Sequence, residues 1–131
     1  MNQKPIEYSF PIDPEAAGYR LFPRSLEDDD HIFFHGTALS CLEPILANGF
    51  RIPPHPLAQS VSFAKNSSLS LGYACIKRSP DSPDGCVIAV RYEISVQKCI
   101  VMDTSMLHDY KCDPQPVVIA FCIVPAAYRH I

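Results

Sequence analysis

The run PVVIAFCIV, residues 116–124, is rich in valine and isoleucine and is the most strongly β-forming stretch of the chain. Two more strand candidates precede it: CVIAVRYEI (86–94), long and largely apolar, and the shorter KCIVMD (98–103). The turn SPDSPDG (79–85) introduces them, and TSMLHDY (104–110) reads as a short helical turn between the last two. The front of the chain is patterned differently. HIFFH (31–35) and VSFA (61–64) read as short strands. Ser40 is placed to cap a helix running to about Asn48, with Leu42, Ile45 and Leu46 on one face and Gly49 as its stop. Asn66 or Ser67 caps a second helix, 67–78, with Leu69, Tyr73 and Ile76 at helical spacing. Helices in front and strands behind imply an α+β domain with mainly antiparallel pairing.

The 131 residues fit one domain, with 47% hydrophobic and 19% charged residues, which argues against a disordered chain. Residues 1–30 carry prolines 5, 11, 14 and 23 and read as an extended arm packed on the domain 31–131, with AAGYRLF (16–22) a short strand or turn. The net charge is -3 and lysine and arginine form no cluster, so the chain lacks the electrostatic footprint of a duplex nucleic-acid binder. Its one charge run, Glu27-Asp28-Asp29-Asp30, reads as a solvated loop. Cysteines 41, 75, 86, 99, 112 and 122 form no CxxC pair and mostly have apolar neighbours. They read as buried thiols of a reducing compartment, without the ligand spacing of a zinc site, so no metal is expected. No signal peptide or membrane-spanning run is visible. The expectation is a cytoplasmic protein with no membrane partner, or one exported without a cleavable signal.

Two stretches carry polar residues suited to chemistry. In FFHGT (33–37) a histidine at the end of a strand precedes a glycine. Lacking a Cβ, the glycine lets a ligand reach the backbone, and the imidazole can bond a hydroxyl. The plainer reading is a satisfied histidine beside a turn glycine. In SVSFAKNSSLSLGYA (60–74), Ser70 and Tyr73 are three apart on one helix face, where an exposed ring can stack on a flat heterocycle. The plainer reading makes Tyr73 core and the serines helix caps.

Taken in order, His35-Gly36-Thr37, Gly49-Phe50, Ser62-Phe63-Ala64 and Ser70-Leu71-Gly72-Tyr73 resemble the catalytic domain of ADP-ribosyltransferases of the diphtheria-toxin and poly(ADP-ribose) polymerase type. The resemblance covers residues 33–74 well and the rest in outline. It implies two small, mainly antiparallel sheets with short flanking helices, and NAD as the substrate. It also implies that the Gly36 backbone holds the nicotinamide carboxamide with Ser70. His35, supported by Thr37, would bond a ribose hydroxyl, and Tyr73 would stack on the nicotinamide.

In that family a glutamate at the start of a late strand bonds the nicotinamide ribose, where positive charge develops as the glycosidic bond breaks. Gln115 is the best match by position, and Asp113 is the second choice. A neutral glutamine gives up the charge; members of the wider family that lack the glutamate tend to transfer single ADP-ribose units or be inactive, so the resemblance implies no chain elongation. Ser62 stands where the family has a stacking tyrosine, and the preceding loop, PPHPLAQ (53–59), is proline-rich where the family has glycine. Arg51 lies near the expected cleft and is a candidate for the pyrophosphate. No partner is legible for His55, His108 or His130. The resemblance thus implies a mono-ADP-ribosyltransferase, of a kind often used as a toxin or effector, acting on an unidentified protein or nucleic acid. The alternatives are an inactive module on the same fold that binds NAD, a nucleotide or a protein. An RNA 2′-phosphotransferase and an unrelated α+β domain also stay open.

Overall fold

Strand β1 (Ile6–Tyr8), helix α1 (Arg24–Glu27), strand β2 (Ile32–Ala38), helix α2 (Leu42–Asn48), strand β3 (Val61–Ala64) and helix α3 (Ser67–Lys77) make up the front of the chain. Strands β4 (Gly85–Arg91), β5 (Ile100–Met102), β6 (Met106–Asp109) and β7 (Val117–Val124) follow. They are seen in a computed structural model that describes residues 4–52, 60–92, 100–102 and 105–130. The loop PPHPLAQ with His55, Cys99, and the ends of two strand candidates (93–94, 98–99 and 103) lie outside the described residues.

The protein combines α and β elements, and its strands form one open sheet in the order β1-β7-β4-β2-β3-β6-β5, not two small sheets. Every pair is antiparallel except β1 with β7. The expectation of two sheets fails at one place. Phe34 of β2 pairs with Ala64 of β3, and this single position joins a four-strand flank to a three-strand flank. The seven-residue register of β2 on β4 makes the larger flank continuous.

Both faces of the sheet are covered. On one, Ile32, Phe34, Val87, Ala89, Ala120, Cys122 and Val124 pack with Leu71 and Ala74 of α3 and with Leu21 and Phe22. On the other, Phe33, Ile88, Val90, Phe63 and Leu107 pack with Leu42 and Phe50. Helix α3 lies unusually close to the strands. A Cβ on Gly36 would stand 2.0 Å from the Ser70 carbonyl oxygen, and one on Gly85 would stand 2.8 Å from that of Ala74. Only glycine permits this approach.

Several elements differ from the sequence reading, each for a tertiary reason. Residues 106–109 form a strand instead of a helical turn, because they pair with β3 on one side and β5 on the other. Buried Asp109 holds the following bend by accepting from the Lys111 and Cys112 amides and the Tyr92 hydroxyl. Ser40 does not cap α2. A 3₁₀ turn, Leu39–Cys41, leads into the helix, and the Ser40 amide donates to Ser82 Oγ. Gly49, at φ 82°, does end α2, and Asn66 does cap α3, its side chain accepting from the Leu69 amide. Leu46 is exposed rather than packed.

The acidic run is only partly the solvated loop expected: Asp28 and Asp30 are exposed, but the other two carboxylates are engaged. Glu27 is buried, accepting from the Phe22 amide and from both the amide and the hydroxyl of Ser67. Asp29 accepts from the His31 amide and from Arg91. Of the cysteines, Cys86, Cys112 and Cys122 are buried, but Cys41 is exposed. Burial pushes the Cys86 and Cys122 thiols up to about 12. Among the described residues no helix is long and apolar enough to cross a membrane, and no three His, Cys, Asp or Glu side chains could hold a metal ion together.

Candidate functional site

The ladder between β2 and β3 is one pair long. Past Phe34, the segment His35-Gly36-Thr37 therefore borders open space where a neighbouring strand would have lain. That space is a cleft of about 820 Å3. Helix α2 and the segment after it wall one side, α3 contributes Ser70, Tyr73 and Lys77, and β3 and β6 contribute Ser62 and His108.

His35 lies in the middle of β2, not at its end, since the strand continues to Ala38. Its Nδ1–H donates to the Ser62 carbonyl oxygen at 2.8 Å, which leaves Nε2 as the acceptor nitrogen. The ring contacts Phe50 and Phe63 at centroid distances of 5.3 and 5.4 Å. Burial holds its pKa below the ordinary imidazole value; the bond to Ser62 opposes that shift, and the nearby Lys77 charge adds to it. His35 is a neutral hydrogen-bond acceptor fixed across the seam between the two flanks of the sheet.

The cleft brings together most of the residues singled out from the sequence. His35, Gly36, Thr37, Arg51, Ser62, Ser70 and Tyr73 all line it. Thr37 and Ser70 are buried, while Tyr73 keeps 43% of its surface exposed, as a stacking ring requires. Gly36 has a structural duty besides, since α3 presses on it.

Phe63, Gln115 and Asp113 are not among the lining residues. Phe63 is fully buried and supports the His35 ring from behind. Asp113 is exposed on the chain leading to β7. Gln115 is committed to the backbone of Phe50. Its Oε1 accepts from the Phe50 amide at 2.8 Å and its Nε2 donates to the Phe50 carbonyl at 2.7 Å. The pair ties the segment after α2 to the entrance of β7, and Gly49 beside it leaves the room the glutamine needs.

Two cleft residues escaped the sequence reading. Lys77, in the last turn of α3, gives the cleft a second cation besides Arg51. His108 of β6 is the direct cross-strand partner of Ser62, with its Nδ1 2.8 Å from Ser62 Oγ. Only the β3–β6 register could have revealed that contact. His130 lies elsewhere, bonded through Nδ1 to the Tyr128 hydroxyl. No aspartate or glutamate is among the described residues lining the cleft. The cleft therefore offers two cations, two imidazoles, several hydroxyls and an exposed aromatic ring, a set suited to an anionic ligand with a flat base. No protein-family model, curated protein or solved structure matches the chain.

Proposed function

We propose that the cleft binds NAD and that the protein is a mono-ADP-ribosyltransferase, with the fold of that family drawn into one sheet. The observation that carries this reading is the gathering of His35, Thr37, Ser62, Ser70 and Tyr73 around one cleft that holds cations and no carboxylate among its described lining residues. In this reading the neutral His35 accepts from a ribose hydroxyl through Nε2. Tyr73 stacks on the nicotinamide, and the Gly36 backbone and Ser70 bond its carboxamide. Arg51 pairs with the pyrophosphate. The bond that breaks joins nicotinamide to ribose, and ADP-ribose passes to a protein or nucleic acid. Gln115 acts through Phe50, shaping the rim, and its side chain is engaged there instead of on the ribose.

A second reading is a module that binds NAD or a nucleotide and leaves it intact. The lack of a lining carboxylate and the engagement of Gln115 favour it, because a charge missing at the transition state costs several kcal/mol. Calorimetry with NAD on wild type and His35→Ala, with nicotinamide release followed in the same samples, separates the two. Binding with release, both lost in the variant, supports the transferase. Binding without release supports the module, and no binding overturns both.

A further inference from the structure

We propose that Ser62 is a nucleophile with His108 as its base, and that it takes an ADP-ribosyl group from NAD held in the same cleft. The inference rests on the NAD reading above. Its evidence is the immediate surroundings of one residue. The Ser62 carbonyl is fixed by His35 Nδ1, and its hydroxyl lies 2.8 Å from His108 Nδ1. Ser62 and His108 face each other directly across the β3–β6 ladder, so backbone register sets the two side chains next to each other on one face of the sheet. Both are half-buried and both line the cleft. A serine within hydrogen-bond reach of a histidine, the histidine held by its own strand, is the arrangement that activates a hydroxyl.

The step balances as follows. The hydroxyl oxygen of Ser62 forms a bond to the ribose carbon that carries nicotinamide. The carbon–nitrogen bond breaks, and its electron pair leaves with nicotinamide, which becomes neutral. The hydroxyl proton passes to Nδ1 of His108 in the tautomer protonated at Nε2, and the imidazolium returns the proton to solvent. The product is a serine bearing one ADP-ribose in the mouth of the cleft, where it blocks further NAD.

The test incubates the full chain with NAD and reads intact mass, peptide masses, and NAD binding by calorimetry on the same preparation. The expected result is one ADP-ribose per chain on Ser62, none in Ser62→Ala, and labelling about a hundredfold slower in His108→Ala. Added imidazole should restore labelling of His108→Ala, which a purely structural role would not allow. His108→Asn keeps a side chain able to hydrogen-bond Ser62 and has no basic nitrogen, so it should label as slowly as His108→Ala. Wild type that binds NAD and releases nicotinamide with Ser62 unmodified overturns the proposal and leaves the transferase reading standing. Undiminished labelling of Ser62 in both His108 variants removes His108 as the base and overturns it equally. Wild type that does not bind NAD overturns the reading beneath it and the proposal together.

Discussion

The two faces of β2 are packed differently. On the face toward α3, Gly36 meets a helix so close that a single methyl group would collide with its backbone, and the cleft opens beside that contact, where Gly36, Ser70 and Tyr73 line it. On the other, Phe33 packs into the core, His35 lines the cleft, and the space beyond it stays open. Alternation along one strand gives each residue a single face. A seven-residue strand can therefore carry a tight helix contact on one face and still present residues of both faces to the cleft. The close packing makes the cleft usable, because the void borders a strand that α3 and β4 already hold rigid.

That contrast can be broken from either side. The largest effect is expected for Gly36→Ala. Its Cβ would meet backbone atoms of Ser70 and Ala74, which have no flexible end to move aside, so a loss of about 3 kcal/mol or more is expected in urea unfolding. A Gly36→Ala variant as stable as wild type would show that α3 can lift from the sheet at little cost.

Glu27→Ala comes next. It strips the acceptor from the Phe22 amide and from the Ser67 amide and hydroxyl, inside the same closely packed layer. Buried donors left unpaired cost about 2 kcal/mol, and the loss should appear in stability without dependence on NAD. Gln115→Ala acts on the open side. It removes both bonds to Phe50, so a stability loss of about 1 kcal/mol is expected, together with weaker ligand binding as the rim loosens. On the proposed NAD reading, undiminished binding by Gln115→Ala would detach the rim from the site.

The smallest effect concerns pH. Burial lowers the His35 pKa, so the unfolded chain takes up a proton on this residue more readily than the folded one. The stability from keeping His35 neutral is complete above its ordinary value of 6.5 and is lost as pH falls below it, by at most about 1.4 kcal/mol per pH unit. Melting curves of wild type and His35→Gln between about pH 7.5 and 5.5 should converge toward the acid end. Parallel curves would show that the fold does not disfavour the imidazolium.

Much of the framework was legible because its signals are local. Asn66 followed by a helical apolar spacing placed α3, and the valine- and isoleucine-rich runs placed β4 and β7. β6 was not legible, because MLHD carries a histidine and an aspartate and only its two neighbours make it a strand. Glu27 hid for the same reason. Its partner Ser67 is distant in sequence, and nothing in EDDD separates a buried carboxylate from solvated ones.

The site divides along the same line. His35, Gly36, Thr37, Ser70 and Tyr73 fall in contiguous stretches and reach the cleft together. Gln115 was matched by its place before a late strand, but its side chain answers to Phe50. His108 becomes visible only through the register that sets it against Ser62.

The order of strands also governs how the chain can be made. β4 lies between β2 and β7, and β7 lies between β4 and β1. While residues 1–116 emerge from a ribosome, the apolar strand Gly85–Arg91 has a partner along one edge only, and Ile6–Tyr8 has none in the sheet. Both wait for Val117–Val124. Until that segment arrives, the nascent chain presents an open, valine-rich edge, the kind of surface on which a second nascent chain can pair. A chain truncated before Val117 should therefore give much less soluble protein than the full chain, whereas full yield from the truncated chain would show that β4 and β1 do not need β7.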